Sequence, residues 1–103
     1  MKIFSFLDTK ELEKFAEGLA EDLARRFPPT SEARTDPGAR KQIMDIVDSL
    51  AAQAVRYQQE NSLGVYKKAK LGNTFQWKLM ELGYSKEFAE GVTQELVTRV
   101  AAN

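Results

Sequence analysis

Residues 63–84, LGVYKKAKLGNTFQWKLMELGY, carry apolar side chains on two sides of a helix. At about 100° per residue, Tyr66, Ala69, Asn73, Trp77 and Met80 fall on one side. Leu71, Phe75, Leu79 and Leu82 fall on roughly the opposite side, and Lys67, Lys70, Thr74, Lys78 and Glu81 form a polar edge between them. A surface helix needs one apolar stripe, whereas a helix apolar on two sides needs two covers. The spacing predicts a central helix packed between other helices of its own domain. The alternative gives one side to a partner, such as a second copy of the chain.

The pair Gly72–Asn73 leaves the continuity of this helix open. Glycine adopts the left-handed conformation that ends helices. Asn73 with Gln76 three residues on has the spacing of a capping box. A break here would confine the two-sided argument to residues 73–82 and make a short helix–turn–helix. That motif carries little functional weight, because Lys78 is the only cation in residues 73–82 and a base-reading helix usually presents Arg, Asn or Gln to the groove.

The flanking segments are simpler. Residues 1–7, MKIFSFL, form a short apolar arm whose Ile3, Phe4, Phe6 and Leu7 need cover from this chain or another. Asp8 is placed to cap the first helix, with Glu11 three residues on and Leu7 and Leu12 spaced as a hydrophobic staple. Leu12, Phe15, Ala16, Leu19, Leu23 and Phe27 make one stripe, Arg25 and Arg26 suit the last turn, and Pro28–Pro29 ends it. Residues 28–35 are a loop by composition, expected to be a plain connector and the most mobile internal segment. Asp36–Pro37 opens a second helix as cap and first-turn proline. Its stripe is Ile43, Ile46, Val47, Leu50, Ala54 and Tyr57, and Asn61, Ser62 and Gly64 mark its end. Gly83 closes the two-sided helix, and Ser85 caps a last one striped by Phe88, Ala89, Val92, Leu96 and Val100. Gly91 lies off that stripe, either permitting a close helix approach or simply tolerated.

These signals define an all-α chain. Its 103 residues make a single helical domain with helices over 8–26, 37–60, 65–82 and 86–101. They pack as a compact four-helix bundle or orthogonal helical array with a short apolar N-terminal arm.

Chemistry is limited by what is missing. The chain has no Cys and no His, which excludes disulfides, thiolate nucleophiles, His-based triads and His-ligated zinc or di-iron sites. The carboxylate pairs Asp45/Asp48 and Glu17/Glu21 each share a helix face, but both faces read as solvated, and no calcium-loop pattern is present. No phosphate-binding glycine loop or nucleophile elbow occurs. No catalytic residue, metal ligand, cofactor site or small-molecule substrate is expected. No run approaches a membrane span or a signal peptide, so the expectation is a cytoplasmic protein that does not enter membranes.

Net charge is zero but segregated. Residues 61–80 carry +4 and 25–44 carry +3, against −3, −2 and −2 for 1–24, 45–60 and 81–103. The leading expectation is a non-enzymatic helical interaction module, homodimeric through Phe4, Tyr66, Trp77 and Met80. The alternative is a nucleic-acid-associated accessory or regulatory protein with Lys67, Lys68, Lys70 and Lys78 as phosphate contacts, helped by Arg40 and Lys41. Against it, Phe75 and Trp77 sit on the apolar sides, away from the lysine edge. A third reading places Trp77 and Tyr66 in a ligand pocket of the bundle core.

Overall fold

In the computed structural model, which describes residues 9–102, four α-helices follow the expected segments. They are α1 (Lys10–Arg26), α2 (Pro37–Asn61), α3 (Val65–Leu82) and α4 (Lys86–Ala101), with one 3₁₀ turn at Pro29–Ser31. Together they form an all-α bundle. The arm over residues 1–7, the Asp8 cap and the Leu7–Leu12 staple lie outside the described residues. Thr9 stands before α1, buried, its hydroxyl donating to Glu13 Oε2 at 2.5 Å.

The ends of the other helices show why local sequence placed them well. Asp36 Oδ2 accepts from the Ala39 amide at 3.0 Å, with Pro37 in the first turn. Arg34 reaches the same carboxylate through Nε at 3.2 Å and Nη2 at 3.1 Å. The Arg34 hydrogen bond, followed by the Ala39 amide, holds the Asp36 carboxyl below the usual carboxylate range. Ser85 Oγ accepts from the Phe88 amide at 3.1 Å. Gly83, at φ 115°, closes α3: its amide donates to Met80 O and that of Tyr84 to Leu79 O, the paired bonds of a left-handed helix end. At the end of α2 the left-handed position falls on Ser62, at φ 49°, rather than on a glycine.

The stripes converge on one core. Leu19, Leu23 and Phe27 from α1 and its end meet Val47 and Leu50 of α2, Phe75 and Leu79 of α3, and Leu96 of α4, all fully buried. Helices α1 and α2 run antiparallel. Gln42 Nε2 donates to Arg26 O at 2.8 Å at one end, and Phe15 stacks on Tyr57 at the other, centroids 4.1 Å apart. The C-terminal half of α4 lies on α2, where Arg99 forms an ion pair with Asp48 and approaches Met44 Sδ at 3.3 Å. Asp48 is therefore not the purely solvated acid its spacing suggested.

Helix α3 is continuous through Gly72–Asn73. Gly72 is buried, and a Cβ there would lie 3.2 Å from Val97 Cγ2. Its missing side chain lets α4 come close; it does not end a helix. The capping box at Asn73 and the helix–turn–helix are thereby set aside. At Gly91, a Cβ would meet nothing within 4 Å, so that glycine permits no close approach. Gly91→Ala is expected to raise unfolding free energy by about 0.5–1 kcal/mol. Gly72→Ala should gain clearly less, because Val97 must first move. Urea denaturation of the two variants measures the difference, and an equal gain would contradict the close approach at Gly72.

The loop over residues 28–35 is more than a free connector. The Tyr84 hydroxyl donates to Phe27 O, and the Ser85 amide donates to Glu32 Oε1 at 2.8 Å. Both tie this segment to the α3–α4 corner. Tyr84 also stacks on Phe88 with centroids 4.8 Å apart, and Phe88 on Phe27 at 6.0 Å. Burial, then the nearby Glu32 charge, pushes the Tyr84 phenol up to about 12. An unfolded tyrosine ionises near pH ~10. The folded chain thus holds this proton more tightly, and the contribution is complete below pH ~10 and lost as pH rises toward 12. Tyr84→Phe should flatten the alkaline fall of stability across this window while lowering stability at pH 7 by about 1–3 kcal/mol, because Phe27 O loses its donor. Denaturation curves at pH 7 and through the alkaline limb check both.

Candidate interaction face

The two sides of α3 meet different fates. Leu71, Phe75 and Leu79 are buried against the other helices, with Leu82 half-buried beside them. On the other side Trp77 is 68% exposed and Tyr66 57%, with Ala69 and Asn73 exposed and Met80 half-buried. Burial of both sides within one domain, the first sequence expectation, does not hold among the described residues. Four helices supply one closed core, and α3 spends one stripe on it. Among the described residues, the Trp77 side meets no counterpart stripe.

Trp77 sits at the edge of an open groove of about 310 Å³ between α1 and α3. Glu13 and Glu17 line it from α1, and Lys70, Asn73 and Lys78 from α3. Lys78 Nζ lies 3.1 Å from Glu81 Oε1 and 3.9 Å from Glu21 Oε2. The Glu81 hydrogen bond leads in raising the Lys78 pKa. The groove therefore presents both signs of charge around an indole.

The four lysines of the sequence reading are divided by the fold. Lys70 and Lys78 line this groove, and Lys67 shares their helix edge. Lys68 lies on the opposite flank, lining a separate cavity with residues of α2 and α4. Of the residues named for an interface, Tyr66, Trp77 and Met80 share one side of α3, while Phe4 lies outside the described residues. Trp77 and Tyr66 do not line the bundle-core cavity, so the pocket imagined around them is not formed there.

Sequence reasoning missed Glu13 and Glu17 as groove residues. Their signal was a position flanking the α1 stripe, which any solvated acid shares. Among the described residues no three carboxylates gather where they could hold a metal ion, and no helix is long and apolar enough to cross a membrane. Comparison of the chain with protein-family models, with curated proteins and with solved structures finds no match.

Proposed function

We propose that this chain is a non-enzymatic interaction module that pairs with a second copy of itself through the outer side of α3. The observation that carries the reading is the exposure of both Trp77 and Tyr66 on one side of a helix whose other side already belongs to the core. A tryptophan in water is a poor use of a large apolar side chain, and Trp and Tyr are the residues that most often anchor interfaces.

The spacing on α3 is self-complementary. An antiparallel pairing of two α3 helices about a two-fold axis at Asn73 sets Tyr66 against the partner's Met80. It sets the small Ala69 against the partner's Trp77. A large side chain then meets a small one at each end, as an isologous contact requires. The same register brings Lys67, in the cationic N-terminal turn, near the partner's Glu81. The acids in the groove favour this mixed-charge contact over a phosphate track, which would call for one sign of charge. We place the module in the cytoplasm on the sequence expectation alone.

One helix face is small against the roughly 800 Å² per partner of a standard interface, so association should depend on concentration. Light scattering behind size exclusion, across a concentration series, should show mass rising from 11.6 kDa toward twice that value. A monomer at every concentration overturns the proposal. Salt-sensitive binding to mixed nucleic acid by such a monomer would move the function to the lysines.

A further inference from the structure

On the flank of α3 away from Trp77, a cavity of about 160 Å³ opens between α2, α3 and α4. Ala54, Leu71 and Leu96 form its buried wall, and Leu63, Val97 and Val100 its less covered sides. Apolar wall left open to water is solvated at a cost, which an apolar occupant removes. A cavity of roughly 150 Å³ with a lining of this kind accepts a hydrocarbon of about six carbons.

Lys68 gives the cavity its chemistry. Among the described residues that line it, Lys68 alone is charged. It lies one helical turn before Gly72, where a Cβ would sit 3.2 Å from Val97 Cγ2, so it stands on the side of α3 turned to α4. Lys68 is exposed, and a lysine in such a place lays its hydrocarbon stem along apolar surface and holds its ammonium in water at the rim. Among the described residues it has no ion-pair partner, and residues 61–80 contain no acid. The other polar side chain in the lining, Gln58, donates its Nε2 to Val100 O at 3.5 Å. The site is an aliphatic hollow with one unmatched positive charge at its mouth. A molecule with an apolar tail and a single negative head complements both.

We propose that the cavity between α2, α3 and α4 binds a short aliphatic carboxylate of about six carbons, its tail against Leu71, Leu96, Val97 and Val100 and its head on the Lys68 ammonium. The charge pair sits at the exposed rim, so tail burial carries most of the affinity and the lysine selects the sign of the head. This site shares no lining residue with the Trp77 groove, so it stands whether or not the chain dimerises.

The test titrates the full chain with hexanoate and with hexylammonium, alike in tail and opposite in charge, at one low ionic strength and followed by methyl-resolved NMR. Hexanoate should give saturable shifts at the Leu71, Leu96, Val97 and Val100 methyls. Hexylammonium should bind about fivefold more weakly or worse, since repulsion replaces the pair. Butanoate, with a shorter tail to bury, should bind about tenfold more weakly than hexanoate. Lys68→Gln should bring hexanoate and hexylammonium within about twofold of each other, and Lys68→Glu should reverse their order. Lys68 is exposed, so neither change disturbs the core. Ala101→Trp, at an exposed position on the same cavity wall, should weaken hexanoate whatever the charge at position 68. The proposal is overturned if hexanoate does not saturate, if hexylammonium or butanoate binds as tightly, if Lys68→Glu leaves the order unchanged, or if the shifts ignore Ala101→Trp.

Discussion

Phe75→Ala is expected to lower unfolding free energy by about 3–5 kcal/mol, the largest loss from any single truncation on α3. Phe75 is fully buried in the shared core, so removing the ring forfeits its transfer free energy and leaves a cavity that rigid helices fill poorly. At about 4–8 °C per kcal/mol for a domain of this size, the midpoint should fall by more than about 12 °C. Thermal and urea unfolding at low protein concentration measure this without a contribution from self-association. Phe75 and Trp77 differ by two positions and read alike as apolar residues in a helix. The helical repeat sets them on opposite sides of α3, the structure buries only Phe75, and Trp77→Ala in the same assay should move stability by no more than about 0.5 kcal/mol. Equal losses at both positions would mean that Trp77 is covered after all.

Trp77→Glu should have the opposite profile, with a nearly unchanged monomer and a broken dimer. The indole is 68% exposed, so a carboxylate there remains solvated in the single chain. In the proposed pairing that charge would be buried opposite the partner's Ala69. Interface anchors of this kind are worth 2 kcal/mol or more, so the dimer dissociation constant should rise at least about 30-fold. Sedimentation velocity on the native and Trp77→Glu chains, with a urea melt of each, separates the effects. Ala69→Leu makes a second probe of the register, because a larger side chain opposite the partner's indole would weaken pairing while improving nothing in the monomer core. A dimer that survives both changes would place its interface elsewhere.

Much of the fold was legible because the signals for it are local. Asp36 with Pro37, Ser85 and Gly83 act on amides and dihedral angles within a few residues, and all three work as their sequence neighbours require. The stripes were legible for the same reason: Leu12 to Phe27 on α1 and Ile46 to Ala54 on α2 follow from 3.6 residues per turn. The glycines were not resolved: Gly72 was left open between a continuous helix and a break, and Gly91 between a close approach and simple tolerance. What separates them is the neighbouring helix: Val97 of α4 lies 3.2 Å from where a Cβ of Gly72 would sit, and nothing lies within 4 Å of the same place at Gly91. The loop over residues 28–35 read as a connector because Glu32 and Tyr84 are distant in sequence from what they hold.

The candidate face was half legible. Placing Tyr66, Trp77 and Met80 on one side of a helix needs only the helical repeat. Deciding which of the two sides lies outside the core requires knowing how many stripes the other helices bring and where they point. The amino-acid sequence by itself determined the helical segments, the ends marked by Asp36, Gly83 and Ser85 and the two apolar sides of α3, because caps, prolines and periodicity are short-range physics. The tertiary structure alone decided that Phe75 faces the core and Trp77 faces solvent, that Gly72 serves close packing, and that a cavity opens beside Gln58. Each of these is a contact or a gap between helices, and its energy depends on partners that the local chain does not specify.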